Sequence, residues 1–229
     1  MLGNVTKSTL RTRQWASASR LRASIDREER MRKDLAGFLA QRIESEINAL
    51  PKELEGLYDT FNFTRTGKNL CHPVTWGLLT KIVANLEGVA YVGIDVRLNV
   101  GGVKFQPDVV GFQEDGKAVV YVDFESPNSS DARIPRKDVK PYLAWVGDTS
   151  DSAPYVTVTA LPNLPAPDWE LRWTNRDQYN FKHKGKREEI RANPLRYWRG
   201  VWGEELRGYD LSSVLLLNID RRKVTQTIL

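Results

Sequence analysis

The chain has 229 residues, 41% of them apolar and 28% charged, which excludes a chain that stays disordered throughout and leaves room for one well-buried domain with appendages. No run approaches the roughly 20 consecutive apolar residues of a membrane-spanning helix, so a cytoplasmic protein with no membrane partner is expected. The single cysteine, Cys71, and the two histidines, His72 and His183, exclude an intramolecular disulfide and a Cys/His zinc cage, so a metal site here has to be built from oxygen ligands.

The net charge of +5 is unevenly placed. Lys7, Arg11, Arg13, Arg20 and Arg22 precede the first acid, and residues 1–30 read as a basic arm or leading helix. Rich in Arg and Ser, this start resembles an organelle transit peptide in composition, but it lacks the apolar stretch of a secretory signal. From Asp26 to Leu57 the composition is that of an amphipathic helix. Leu35, Phe38, Leu39, Arg42, Ile43, Glu46 and Ile47 form its stripe, and Pro51 interrupts it. A second helix is predicted over Pro73 to Glu87: a proline suits the first helical position, Val74, Leu78, Ile82 and Leu86 recur every four residues, and Gly88 follows as a stop.

The period then changes to two. Val92, Ile94, Val96, Leu98 and Val100 alternate with Gly93, Asp95, Arg97 and Asn99 up to a Gly101-Gly102 turn, which predicts a half-buried strand. A second strand is expected from Val103 to Phe112. An Asp115-Gly116 turn leads to a third, Ala118 to Glu125, and the three make a meander. A helix between Pro135 and Trp145, a strand at Tyr155 to Ala160, a proline-rich connector from Leu161 to Pro167 and a short buried strand at Val214 to Ile219 complete the reading. Residues 31–160 form the expected core, and 161–229 a basic and aromatic elaboration packed on it. Between 171 and 207 lie ten Lys/Arg against five Asp/Glu, interleaved with Trp173, Tyr179, Phe181, Tyr197, Trp198 and Trp202. That mixture suits phosphate contact and base stacking, and equally a solvated surface around core tryptophans.

The acids on the hairpin carry the chemistry. With Asp115 and Gly116 as turn residues, Asp108 falls directly opposite Asp123, where side chains share a face roughly 5 Å apart and like charges repel. A hard divalent cation relieves that repulsion. Asp123 and Glu125, two apart on one strand, point to the same face. A one-residue slip would turn Asp108 away. His72 and His183 each stand alone and read as structural or surface residues. Gly101-Gly102 opens no helix and is a turn, not a phosphate loop.

Pro107-Asp108, followed fifteen residues on by Asp123-Phe124-Glu125 at a strand end, in the order helix, three strands, helix, strand, resembles the PD-(D/E)xK nuclease superfamily. The resemblance covers about Pro73 to Ala160. It implies an α/β fold with a restriction-endonuclease-like core, a mixed central sheet flanked by helices. It also implies Mg2+ or Mn2+ held by Asp108, Asp123, Glu125 and the Phe124 carbonyl, and DNA as substrate. Members often act as dimers, so a homodimer is admitted. The motif lysine is absent: Glu125 stands in its slot, as glutamate does in some restriction endonucleases. Ser126-Pro127 together with Lys137, eleven residues beyond Ser126, resembles a group of endonucleases in the same superfamily whose lysine has moved to the next helix. Lys137 is the preferred catalytic lysine and Lys140 its substitute. An upstream acid often completes such sites, with Glu44, Glu46 and Glu87 as candidates. The expected function is metal-dependent phosphodiester hydrolysis. Its rivals are a nuclease-fold protein that binds nucleic acid without cutting, and an interaction protein whose acids merely face water.

Overall fold

The computed structural model describes residues 34–54, 65–100, 102–125, 135–149, 151–160, 203–220 and 222–227. The basic arm, Ser126-Pro127, His183, the 161–167 connector and the basic-aromatic stretch as far as 202 lie outside them.

The first helix, α1, runs over 34–48. Ala36, Leu39, Ile43 and Ile47 are its buried face, at the three- and four-residue spacing that keeps side chains on one side of a helix. Phe38 and Arg42 of the expected stripe lie off that face, the Phe38 ring partly exposed beneath the Arg42 guanidinium. The second helix, α2, spans Arg65–Val83, which corrects the expected Pro73 start. Pro73 sits inside the helix, where a missing N–H costs a backbone bond but packing keeps the helix running. It ends at Val83, and Leu86 and Glu87 belong to the turns leading to Gly88, whose φ of +82° is the left-handed stop that glycine adopts most easily.

The two long strands read from the alternation are each broken in two. The strands are β1 (Tyr91–Ile94), β2 (Leu98–Val100), β3 (Val103–Phe105) and β4 (Val109–Phe112). The hairpin register is unbroken: Ile94 pairs with Val109 and Leu98 with Phe105, and across the gap the Asp95 and Val96 amides donate to the carbonyls of Asp108 and Pro107. The ladder breaks because Pro107 has no amide to give and Asp95 takes a left-handed φ of 53°, which aspartate tolerates better than most residues. The distal half, β2 and β3, thereby becomes a separate two-stranded sheet in which Val100 pairs with Val103.

The main sheet is mixed, in the order β1-β4-β5-β6-β7-β8, with β5 (Ala118–Glu125), β6 (Tyr155–Ala160) and β7 (Val214–Asp220) mutually parallel and the other neighbours antiparallel. The edge strand β8 (Lys223–Thr227) was not foreseen. Between β5 and β6 the chain crosses through a widened π-helical turn, Pro135–Val139, and the helix α3, Lys140–Thr149, as a parallel pair requires. α1 and α2 pack on one face of the sheet against Val109, Val120, Val122, Phe124, Val156 and Val158. α3 covers the other, where Phe105, Tyr121, Tyr142, Trp145 and Tyr155 form an aromatic core.

Gly111 of β4 faces α2 at the closest approach of helix and sheet. A Cβ there would stand 2.8 Å from Val89 Cγ2 and 3.0 Å from Val83 Cγ1. Gly111→Ala is therefore expected to lower the urea midpoint at unchanged m, by about 1–3 kcal/mol of overpacking.

Candidate active site

The site grows from the register of β4 and β5. Val109 lies opposite Val122, Val110 opposite Tyr121 and Gly111 opposite Val120, the expected pairing, although its origin differs. The turn is not a two-residue one. Gly116 N donates to Gln113 O and Gln113 N to Lys117 O, with Gly116 at φ +84°, so three residues turn the chain. A bulge on β5 between the Phe112–Ala118 and Gly111–Val120 pairs then restores the offset. Two one-residue departures cancel, and Asp108 still meets Asp123.

How they meet is specific. The Asp108 amide donates to Asp123 Oδ1 and the Phe124 amide donates to Asp108 Oδ2, both at 2.8 Å. The last rung of the ladder is thus made by side chains in place of backbone carbonyls. The second Asp123 oxygen accepts the Tyr155 hydroxyl. Tyr155 is held in turn by stacking on Tyr142, with ring centroids 4.9 Å apart and planes at 19°. Asp108 is half-buried, near His72 and Trp76 of α2. The Trp76 indole N–H, buried, comes close without reaching hydrogen-bond geometry.

Glu125 continues the face of Asp123, two residues along β5, and is buried. Lys137 and Asp138 come from the π-turn across from it. Lys137 Nζ lies 3.0 Å from Glu125 Oε1 and 3.5 Å from Asp138 Oδ1. Its side chain is 68% exposed while those of Glu125 and Asp138 are 7% and 9% exposed, so the ammonium caps two buried carboxyls from the solvent side. Lys140 does not share this position: it points to Glu205, at 3.6 Å, and lies over the Tyr209 ring. The upstream acids are engaged elsewhere. Glu46 pairs with Lys81 and Glu44 accepts the Val224 amide, while Glu87 is exposed beyond α2.

So many acids in so little solvent alter their ionisation. Burial, then the charge of Asp108, raises the Asp123 carboxyl to about 7, against the hydrogen bonds from Tyr155 and Asp108. Burial raises Asp108 too, the Phe124 amide opposing it. Asp138 is pushed up to about 9 by burial and by the charges of Asp123 and Glu125. For Lys137 burial works against the ammonium, but Glu125 and Asp138 outweigh it and hold its pKa above the usual lysine value.

The donor set, carboxylates and a strand-end carbonyl, suits a hard divalent cation and no soft one. Among the described residues no three His, Cys, Asp or Glu side chains gather closely enough to hold an ion by themselves, so Asp108 and Asp123 would need water or carbonyl ligands beside them. The structure thus brings together Asp108, Asp123, Glu125 and Lys137. Sequence reasoning missed Asp138, Tyr155, Trp76 and the placement of His72. Asp138 stood in view beside Lys137, and Tyr155 has the parity of the acid-bearing face. Compared with known proteins, the chain matches no family model, no curated sequence and no solved structure.

Because the folded pKa values of Asp123 and Asp138 lie above the 3.8 of an ordinary aspartate, their contribution to stability is whole below about pH 4. It is lost as the pH rises through 7 and then 9. Asp138→Asn is expected to gain on wild type as pH rises from 5 to 9, by no more than about 1.4 kcal/mol per pH unit. Above 9 the gap should stop growing. Urea midpoints of both proteins in EDTA across that range measure it.

Proposed function

We propose that this chain is a metal-dependent nuclease with a restriction-endonuclease-like, PD-(D/E)xK core, hydrolysing phosphodiester bonds in DNA. The observation that carries the reading is the meeting of Asp108 with Asp123 at the end of the β4–β5 hairpin, with Lys137 brought to Glu125 from the following helix. In this reading Asp108, Asp123 and the Phe124 carbonyl, completed by water, are the groups that would hold Mg2+ or Mn2+, and Glu125 would join them by turning from Lys137. The cation supplies charge stabilisation at the scissile phosphate and a water of lowered pKa. The chain's own residues do the rest. Tyr155 and the Asp108 amide hold the Asp123 carboxyl in one orientation. The Lys137 ammonium, exposed at the mouth, meets a phosphate oxygen or orients water, and the basic residues from Arg172 to Arg207 contribute phosphate contacts.

A binding protein of the same fold that does not cut is the second reading, favoured by one observation: the oxygens of Asp123 are both taken by hydrogen-bond donors of the chain itself. Incubation of plasmid, linear and single-stranded DNA with magnesium, manganese or EDTA separates the two. Cutting with metal and none with EDTA is expected; retention of DNA without cutting in any metal establishes the second reading.

Asp108→Asn is expected to lower metal-dependent cleavage by about a hundredfold or more while leaving the metal-free fold as stable or more so, since it removes one of two repelling charges. Magnesium should raise the melting temperature of wild type and not of this variant. Equal gains in both, or full activity of Asp108→Asn, would place the cation elsewhere.

Lys137→Ala is expected to reduce turnover by about a hundredfold with little change in DNA affinity, the signature of a contact made chiefly in the transition state. Lys140→Ala, whose ammonium faces Glu205, should cut at close to the wild-type rate. Filter binding and single-turnover cleavage of both variants give the comparison.

A further inference from the structure

Neighbours on an α-helix point about 100° apart and do not face one another. Lys137 and Asp138 nevertheless both turn toward the end of β5 from the π-helical turn Pro135–Val139. Such widened turns are rare and concentrate at functional sites. The turn is anchored by Pro135 and Val139, both buried, the latter in the aromatic core on the α3 side of the sheet. It leaves Asp138 buried with one oxygen toward the Lys137 ammonium, while the other oxygen, Oδ2, has no hydrogen-bond partner. Leaving a buried polar atom unpaired is costly, and folds keep such groups where something else needs them.

The need is visible in how Lys137 is held. Its closest partner is Glu125, at 3.0 Å, and Glu125 is also one of the groups assigned to the cation under the reading above, on which this inference rests. A lysine whose only anchor is a metal ligand loses its place when that ligand turns away. We infer that Asp138 is a positioning residue for Lys137: it supplies a second, buried oxygen that keeps the ammonium at the mouth of the site and leaves Glu125 free to serve elsewhere. Asp138 is buried and acts on the substrate only through Lys137. Fixing the direction of a four-carbon side chain that is two-thirds exposed is worth a measurable part of the rate, because small misplacements of a catalytic group are expensive.

Two replacements of similar size separate this role from packing. Asp138→Asn keeps an oxygen for Lys137, and Asp138→Leu fills the same buried space without one. With magnesium and linear DNA, the Leu variant is expected to lose at least about tenfold in kcat with KM within about twofold, and the Asn variant to keep at least a third of wild-type kcat. In a Lys137→Ala background the two should be alike. Without metal or substrate, the fall in urea midpoint caused by Lys137→Ala should be smaller in the Asp138→Leu chain than in wild type, because the contact is already gone. Equal activity of the Leu and Asn variants, or a Leu penalty that persists undiminished without Lys137, overturns the positioning role while leaving the nuclease reading intact. A wild-type chain that cuts no DNA in any metal overturns both together. Far-ultraviolet circular dichroism establishes that each variant is folded before it is compared.

Discussion

Two carboxylates that face one another across a β-hairpin are the constraint around which this domain is arranged. Left alone, Asp108 and Asp123 repel. The fold meets this by giving each an amide from the opposite strand, Phe124 N–H to Asp108 and Asp108 N–H to Asp123, with the Tyr155 hydroxyl as a third donor. Charge-assisted bonds of this kind are stronger than neutral ones, yet they do not cancel burial. Both carboxyls remain above the ordinary aspartate range, burial being the first cause in each.

The surroundings follow from holding that pair still. Pro107 and Asp95 stop the hairpin ladder just before Asp108, which frees the Asp108 amide for Asp123 and turns β2 and β3 into a separate sheet. The diverted hairpin brings Phe105 against Tyr121, Tyr142 and Tyr155. This aromatic core gives Tyr155 a rigid seat, its own hydroxyl held well above the usual phenol range by burial and by Asp123, so it stays protonated and donates. A break in one strand and a ring stack on the next therefore serve one carboxylate.

Elements whose period matched their environment were legible in the sequence. The parallel strand Tyr155–Ala160 was found with its exact bounds, and β7 within one residue, because central strands are bounded runs of apolar and β-branched side chains. The Asp108–Asp123 pairing was also legible, although two errors cancelled in it: a three-residue turn in place of two, and a bulge that sequence does not announce. The start of α2 was not, since a proline that usually opens a helix is here carried inside one by its packing. Asp138 escaped because periodicity does not read neighbours on a helix as a pair, whereas the Lys137 ammonium lies 3.5 Å from it within the π-turn. The edge strand β8, exposed along much of its length and with no alternation to mark it, carried no periodic signal.

The arrangement of charge carries the argument one step further. Asp108, Asp123, Glu125 and Asp138 crowd one end of the sheet, and among the described residues one ammonium, Lys137, stands with them. Four carboxylates and one lysine cannot all be charged in a poorly solvated space, so without a cation the excess is neutralised by protons, as the raised Asp123 and Asp138 carboxyls indicate. A protonated carboxyl is a poor ligand, which sets protons and a divalent cation in competition for the same oxygens. The placement of Lys137 then has an electrostatic reason. It neutralises Glu125 from outside, near the solvent, where its own charge is hydrated, and leaves the inner pair to whatever binds between them. A lysine at position 125 would send its stem into the buried face of β5 beside Asp123, and its ammonium would be desolvated with it. A lysine on the turn before α3 brings the positive charge to the same carboxyls while staying exposed.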